Sequence, residues 1–134
     1  SGALNFVSGD ADPAAYVRAI MEAQAMSMKI HSSWIGEDFK RIRVTGGASK
    51  SRILCEIIAN VFQADVEKIS VPDSAALGAA MRAANACGAV SWQELEEKFT
   101  KASEIIHPDT YVASVYKNMI ELYIKFENTI TKGL

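Results

Sequence analysis

One short stretch of this chain combines residue types that could bind a phosphate-bearing ligand: Gly46-Gly47-Ala48-Ser49-Lys50-Ser51. Two glycines allow a backbone to approach a ligand closely, because they carry no side chain to obstruct it. The free amides and the positive end of a helix that begins just after the turn would favour an anion. The stretch therefore predicts a nucleotide-binding turn.

This turn departs from two well-known phosphate-binding motifs. A P-loop needs one glycine directly before its Lys-Ser pair and another further upstream, at positions that hold Ser49 and Val44 in this chain. In a dinucleotide-binding fingerprint the third glycine would fall at Ser49 or Lys50, and an acidic residue would follow about twenty residues on. Neither requirement is met. A strand, a glycine turn and a helix also follow one another where a chain only reverses direction, so the turn alone leaves both interpretations open.

Length and composition limit the classes of protein to consider. The 134 residues suit one domain with one core, and 49% hydrophobic with 22% charged residues excludes a disordered chain. A formal net charge of -2 provides no basic field, so nucleic acid is excluded as a partner. No apolar stretch reaches bilayer length and no signal pattern opens the chain, so we expect a cytoplasmic protein without membrane contact.

The other chemically reactive side chains favour structural roles. Cys55 and Cys87 lack neighbouring metal ligands, so we interpret both as buried thiols and predict no metal site. Arg18 and Glu22 lie one helical turn apart, which predicts an ion pair. Surface or packing positions are predicted for two histidines, and packing for two tryptophans: His31, His107, Trp34 and Trp92.

The hydrophobic periodicity predicts an α/β fold with two parallel strands. A helix over residues 12–33 carries apolar residues on more than one face and is predicted to lie buried between layers. Strands at 41–45 and 66–71 flank a helix at 49–63, which implies a parallel crossover. Two strands cannot cover all the apolar helix faces, so we expect either more strands from outside this chain or self-association as a homodimer.

The second half of the chain is predicted to be mainly helical. Its elements are a helix at 74–86 capped by Asp73, a short helix capped by Ser91 and Glu94 that ends near 99, a linker at 100–108, and a last helix after Pro108. The helix at 74–86 is rich in alanine, and such small residues pack tightly on a sheet. They would also leave room for a ligand beside the glycine turn.

Four segments of the chain resemble the FGGY carbohydrate kinases in order and spacing: residues 16–26, 44–51, 57–62 and 73–80. Within that family the chain is most similar to the xylulose kinases, at the helix end 28–31, at the glycine turn, and in the tail with His107, Pro108, Tyr116 and Tyr123. The resemblance implies a ribonuclease-H-like, actin-like ATPase fold in two lobes, with residues 1–134 as the C-terminal portion of the second, ATP-side domain. It also implies that the full-length enzyme uses ATP and Mg²⁺ to phosphorylate D-xylulose to xylulose 5-phosphate.

The same resemblance assigns roles to individual positions. The backbone of Gly46, Gly47 and Ala48 would lie against ATP, and Ser51 stands where many members place an asparagine that hydrogen-bonds the nucleotide. The family's catalytic aspartate and sugar-binding residues would lie outside this chain. An isolated fragment is therefore expected to be inactive, with no catalytic residue and no metal ligand of its own. Lys50 is either a phosphate ligand or a solvated side chain.

Three other functions stay open at this point. The first is a kinase of the same family that acts on another pentulose or a polyol, because the residues that read the sugar are not in this chain. The second is a non-catalytic helical module that oligomerises through its apolar stripes, with a glycine turn that only reverses the chain. The third is a piece of a dinucleotide-binding oxidoreductase.

Overall fold

A three-stranded sheet lies at the centre of the chain in a computed structural model that describes residues 12–69, 71 and 73–131. The strands are β1 (Arg41–Val44), β2 (Asp65–Ile69) and β3 (Ala102–Ile106). The helices are α1 (Pro13–His31), α2 (Arg52–Phe62), α3 (Ser74–Ala86), α4 (Trp92–Phe99) and α5 (Ala113–Thr131). The predicted α/β fold is confirmed.

The sheet has the strand order β1-β2-β3. β1 and β2 are parallel, which confirms the predicted pair. β3 is an additional strand that runs antiparallel to β2 and pairs Glu104 with Lys68. The prediction of a linker at 100–108 is therefore wrong. The sequence does not predict this strand, because it is short and only Ile106 of its five residues is buried. It therefore has no clear alternation of apolar and polar residues.

One face of the sheet carries the hydrophobic core. α2 is amphipathic, and its apolar side packs on the sheet and against α1 and α5. The buried members of this core come from the three strands and these three helices: Ala25, Met26, Val44, Cys55, Ile57, Ile58, Ala59, Val61, Val66, Ile106 and Tyr116. Burial of a large apolar side chain contributes about 1.5–3 kcal/mol, so this face stabilises the described chain most.

α1 is less buried than its apolar sequence predicts. Ala25 and Met26 are buried, but Val17 and Ile20 are 54% and 60% exposed. The prediction that this helix lies between two layers is wrong for the described chain, because α2 and α5 cover only one of its sides. Its start is as predicted, since Asp12 accepts a hydrogen bond from the Ala14 amide at 3.2 Å.

The opposite face of the sheet is polar and is joined to α4. Successive strand residues point to opposite faces, so Arg43 points away from the buried Val44 and donates through Nη1 to Glu96 Oε1 on α4 (2.7 Å). Glu67 accepts hydrogen bonds from Arg43 Nε (3.1 Å) and from Arg41 Nη1 (3.3 Å). An ion-pair network thus connects the strands to α4.

The alanine-rich helix α3 packs on α4. Met81 is its one buried residue, and most of its alanines are exposed. The predicted tight packing of these small residues on the sheet is therefore wrong within the described part of the chain. α3 has few long apolar side chains, so it has little surface to bury.

The predicted caps of the shorter helices are confirmed. Asp73 Oδ1 accepts a hydrogen bond from the Ala76 amide (3.1 Å) at the start of α3. Ser91 and Glu94 form a reciprocal capping box at the start of α4. Within the described ranges, none of the helices is both long and apolar enough to cross a bilayer.

Burial is predicted less well for the cysteines and tryptophans. Cys55 is buried as expected, but Cys87 is exposed because it is the C-cap at the end of α3. Trp34 is 82% exposed and Trp92 is 47% exposed, so the prediction that both tryptophans pack is wrong for Trp34 and only partly right for Trp92.

Candidate functional site

The predicted glycine turn forms at the carboxyl end of β1. Gly46 has a φ of +72°, a left-handed conformation that residues with a β-carbon rarely adopt, so glycine is favoured there. A β-carbon added to Gly46 or Gly47 would meet nothing within 4 Å, so described side chains do not fill the space beside the turn. Ser49 Oγ donates a hydrogen bond to the Gly46 carbonyl (2.8 Å) and stabilises the turn.

The helix after the turn begins later than predicted. A short 3₁₀ turn, Ala48–Lys50, comes first, and α2 begins at Arg52 instead of Ser49. Ser51 is the N-cap of α2, and its Oγ accepts a hydrogen bond from the Leu54 amide (3.3 Å). The Ser51 hydroxyl therefore has a structural role, and its own hydrogen is left to donate to a ligand.

The turn separates two clefts. The first has a volume of about 470 Å³ and is called here the glycine-turn cleft. Its polar and backbone lining comes from Gly46, Gly47, Ser49, Lys50, Lys68 and Ser103. The second is an apolar groove of about 820 Å³ between α1 and β1, and Ala48 lines this groove. Ser51 lines neither, so the structure brings Gly46 and Gly47 together and places the other two predicted residues elsewhere.

Two lining residues of the glycine-turn cleft are absent from the sequence-based prediction. Lys68 lies near the carboxyl end of β2, and Ser103 lies on β3. The carboxyl ends of neighbouring parallel strands meet at the same edge of a sheet, so the predicted β1–β2 pair contained a signal for Lys68. No signal existed for Ser103, because the pairing of β2 with β3 was not predicted.

The charges beside this cleft are mostly paired. Lys68 Nζ donates to Glu104 Oε2 (2.8 Å), and Glu104 also contacts Arg52. The hydrogen bond from Lys68 is the largest cause that lowers the pKa of Glu104 below its ordinary value. Arg52 makes a second ion pair with Glu56 (2.9 Å). Within the described residues, Lys50 has no carboxylate at ion-pair distance.

The residues of the glycine-turn cleft do not fit a Mg²⁺ site. Mg²⁺ is bound through oxygen ligands, of which carboxylates are the usual protein contribution. The described lining of the cleft includes two lysines and no carboxylate. Elsewhere in the described ranges, no group of three His, Cys, Asp or Glu residues is placed to hold a metal ion. The described residues of this cleft therefore offer Mg²⁺ no carboxylate ligand.

The predicted ion pair on α1 is confirmed and has a further partner. Arg18 Nε donates to Glu22 Oε1 at 2.9 Å. Tyr116 on α5 donates its hydroxyl hydrogen to the same oxygen (3.0 Å), and burial is the largest cause that raises the pKa of Tyr116. These three side chains join α1 to α5 and lie outside the glycine-turn cleft.

Both histidines lie at the surface, each beside a carboxylate that is distant in sequence. His31 Nε2 lies 2.9 Å from Glu127 Oε1, and His107 Nδ1 lies 2.8 Å from Asp65 Oδ1. These partners are not predictable from local sequence, because 96 and 42 residues separate them along the chain. Neither pair includes a nucleophilic side chain, so both are interpreted as surface hydrogen-bond contacts.

The parallel strand pair, the helix between its strands and the open glycine turn define a segment of an actin-like ATPase fold. The profile of the FGGY family of carbohydrate kinases, C-terminal domain, matches residues 2–87. This chain belongs to that family.

Two curated relatives and one solved structure illustrate the similarity. The chain is 40% identical over 79 residues to Xylulose kinase 2 of Arabidopsis thaliana, an alignment that covers 58% of this chain and 14% of the relative. It is 29% identical over 120 residues to the xylulose kinase of Rattus norvegicus, with 85% of this chain and 22% of the relative covered. The crystal structure of xylulose kinase from Rhodospirillum rubrum superposes with a TM-score of 0.79 at 24% identity, over 95% of this chain and 27% of that one. The aligned parts of the chain thus cover between 14% and 27% of the length of these proteins.

Proposed function

We propose that this chain is the ATP-side part of a cytoplasmic carbohydrate kinase that, as a full-length enzyme, transfers the γ-phosphate of ATP to D-xylulose. Residues 1–134 are then the C-terminal portion of its second domain. The observation that carries the proposal is the match of residues 2–87 to the FGGY kinases. The names of the plant and rat relatives support D-xylulose as the sugar.

In this proposal the glycine turn is a platform for the adenosine part of ATP. Gly46 and Gly47 expose backbone that a ligand can approach closely, since a β-carbon on either would meet nothing within 4 Å. Ala48 contributes from the side of the apolar groove. Ser51 donates its hydroxyl hydrogen to the nucleotide while its oxygen keeps the Leu54 amide as a partner. Because phosphoryl transfer depends mainly on positioning and electrostatics, holding the nucleotide is a direct contribution to the reaction.

The chemical step needs groups that the described residues do not supply at the turn. A carboxylate must accept the proton of the sugar hydroxyl, and none lines the described part of the glycine-turn cleft. We therefore propose that the catalytic base and the sugar-binding residues belong to parts of the enzyme outside this chain.

Replacing Gly47 with aspartate in the full-length enzyme tests the nucleotide platform. A carboxylate on the turn would occupy the open space and repel phosphates, so Gly47→Asp should abolish ATP binding and leave sugar binding largely intact. Calorimetric titration with ATP and with D-xylulose measures both. The matched control is Ala14→Asp, which adds the same charge on an exposed position in the first turn of α1. Unchanged ATP affinity in Gly47→Asp would contradict the site.

A comparison of substrates tests the sugar. If D-xylulose is the substrate, its kcat/KM with ATP should exceed that of other pentuloses and of glycerol. A higher kcat/KM for glycerol would favour a polyol kinase of the same family. A full-length protein that binds neither ATP nor any sugar would instead support the non-catalytic module.

A further inference from the structure

We propose that a third cleft, at the edge of the sheet opposite the glycine turn, binds a free amino acid with a large apolar side chain. This cleft has a volume of about 930 Å³ and is lined by the ends of α1 and α2, by the loop at 36–40 and by α5. It is called here the α5 cleft. Pockets for small molecules have volumes of about 300–1,000 Å³, so the α5 cleft is large enough for an amino acid.

The α5 cleft is separate from the glycine turn. Lys40 and Asp65 line the cleft at the amino ends of β1 and β2, whereas the turn follows the carboxyl end of β1. Between the two sites the strand β1 spans about 13 Å. The described walls of the cleft include no residue of β1 itself, so they are not the strand edge at which further strands are expected.

A half-buried ammonium group belongs to this cleft. Lys29 Nζ donates a hydrogen bond to the Val61 carbonyl oxygen (2.8 Å) and lies 5.9 Å from the centre of the Phe62 ring. Within the described ranges Lys29 makes no other hydrogen bond and no ion pair. Burial is the largest influence on the pKa of Lys29 and lowers it, because water solvates the charge incompletely. A lysine ammonium has three donors, so donors remain for a carboxylate.

A carboxylate lies near this ammonium without pairing with it. Asp38 lines the same cleft, and its charge raises the pKa of Lys29 against the larger effect of burial. The two side chains are nevertheless not at ion-pair distance, and Asp38 makes no hydrogen bond among the described residues. Two opposite charges that stand apart match a ligand that carries both signs. A free amino acid offers a carboxylate to Lys29 and an ammonium to Asp38 through charge-assisted hydrogen bonds.

The other charged side chains of the α5 cleft favour a ligand without net charge. Asp65 Oδ1 lies 2.8 Å from His107 Nδ1 and so already has a partner. Glu37 and Lys40 are both exposed and opposite in sign, so together they add no net charge. An anion or a cation alone would be attracted by one side of the cleft and repelled by the other. A zwitterion avoids this repulsion.

The remaining walls of the cleft are apolar and aromatic. Phe39 and Phe62 form an edge-to-face pair, with ring centroids 5.9 Å apart and 69° between the ring planes. Ile120 and Ile124 contribute apolar surface from α5. An aromatic side chain of the ligand would bury its surface against these residues, whereas glycine has no side chain to bury. Phenylalanine is therefore the probe that suits the cleft.

Binding of L-phenylalanine and two derivatives to the full-length enzyme tests the site without nucleotide or sugar. N-acetyl-L-phenylalanine lacks the ammonium group, and L-phenylalaninamide lacks the carboxylate. Each should bind about tenfold more weakly than L-phenylalanine, because one charge of the cleft then lacks its partner. Glycine, which keeps both charges, should bind much more weakly than L-phenylalanine. Calorimetry gives each dissociation constant.

Two variants assign each derivative to one contact. Lys29→Gln should weaken L-phenylalanine binding about tenfold and leave L-phenylalaninamide unchanged, because the amide has no carboxylate to lose. Asp38→Asn keeps an acceptor oxygen and removes an exposed charge, so it should weaken L-phenylalanine about threefold and leave N-acetyl-L-phenylalanine unchanged. Lys117→Gln on α5 and Glu97→Gln on α4 remove exposed charges elsewhere and should change no affinity.

The outcomes decide the proposal independently of the kinase function. It is overturned if the unmodified enzyme does not bind L-phenylalanine at millimolar concentration, or if it binds all three compounds equally. It is also overturned if the control variants weaken binding as much as Lys29→Gln and Asp38→Asn do. If Lys29→Gln does not fold, as judged by its thermal transition, Asp38→Asn and the two derivatives still give the answer. A loss confined to the matched compound and variant supports the site.

Discussion

The two faces of the central sheet are built by different means. On the α2 face, apolar side chains from three helices and all three strands form one continuous core. On the α4 face, Glu67 binds Arg41 and Arg43, and Arg43 reaches across to Glu96. Hydrophobic burial is large and non-directional, whereas paired charges fix geometry but add little net stability where they are exposed. We infer that the α2 face stabilises the fold and that the α4 face mainly orients its helices.

The glycine turn belongs to the more stable α2 face of the sheet. Its 3₁₀ turn leads directly into α2, and the buried Cys55 of that helix lies with its Sγ 3.8 Å from the Ala48 carbonyl oxygen. α3 and α4, in contrast, bury little more than Met81 and Leu95 within the described residues. Elements with few buried apolar contacts open at lower free energy than a core. We therefore expect the glycine turn to be rigid, and α3 and α4 to open more easily.

The largest expected effect comes from truncating one buried side chain on each face. Ile57→Ala on α2 should lower the free energy of unfolding by about 3 kcal/mol, because it leaves a cavity in the core. Met81→Ala on α3 should lower the free energy of the main transition by about 1 kcal/mol or less, because α3 can open without the core. The two side chains are 1% and 6% exposed, so the pair is matched for burial.

Urea unfolding followed by circular dichroism measures this first prediction. Val115→Ala is the control for each variant, since Val115 is 52% exposed on α5 and should change stability little. Equal decreases in the free energy of unfolding for Ile57→Ala and Met81→Ala would contradict the contrast between the two faces, because both faces would then unfold as one cooperative unit.

The same division explains which elements the sequence predicts well. α2 has an apolar stripe at helical spacing, of which Ile57, Ile58 and Val61 are buried in the core, whereas Ile53 is 55% exposed. α3 and β3 lack such a pattern. The alanines of α3 favour a helix but do not indicate which element it packs against. β3 is held by its pairing with β2, and its polar residues Ser103 and Glu104 do not indicate that pairing. An element stabilised by burial has a hydrophobic pattern that predicts it from sequence, whereas an element stabilised by strand pairing need not have one.

A smaller effect on stability is expected from removing the N-caps of α2 and α3, which belong to opposite faces of the sheet. Ser51→Ala and Asp73→Ala each remove one hydrogen bond to a backbone amide, worth about 1 kcal/mol. Because α2 belongs to the core, Ser51→Ala should lower the free energy of global unfolding. Asp73→Ala should instead speed amide exchange within α3 and leave the global transition almost unchanged.

Native-state hydrogen exchange, measured without nucleotide, resolves these two outcomes. Ser51→Thr and Asp73→Asn restore a capping oxygen and should recover most of each loss. If Asp73→Ala lowers global stability as much as Ser51→Ala does, α3 is part of the core unit and the distinction between the faces is wrong.

The candidate site shows the same limit of sequence reasoning. Gly46 and Gly47 are identified from residue type alone, because glycines allow close approach to the backbone, and Gly46 also has a left-handed φ of +72°. The role of Ser51 as an N-cap and the position of Ala48 on the other side of the turn depend on where α2 begins. α2 begins at Arg52, whereas the predicted helix begins at residue 49. Helix boundaries are the part of a fold that local sequence specifies least.

The smallest expected effect contrasts two carboxylates, one on each face, whose pKa values are both lowered. Hydrogen bonds from the Ser91 side chain and backbone lower the pKa of Glu94 in the capping box of α4. For Glu104 the largest cause is the hydrogen bond from the charged Lys68. A carboxyl with a lowered folded pKa stabilises the fold above its unfolded pKa, about 4.3 for glutamate. That contribution is lost as the pH falls through the lower folded pKa.

Titration of the glutamate side chains by NMR between neutral and acidic pH tests this contrast. Ser91→Ala should move the pKa of Glu94 back toward its ordinary value, and Lys68→Gln should do the same for Glu104. Added salt should reduce the shift of Glu104 more than that of Glu94, because salt screens a charged partner and leaves a neutral hydroxyl unaffected. Equal salt sensitivity of the two groups would mean that charge also dominates on the α4 side, and the capping box would then not be the source of the Glu94 shift.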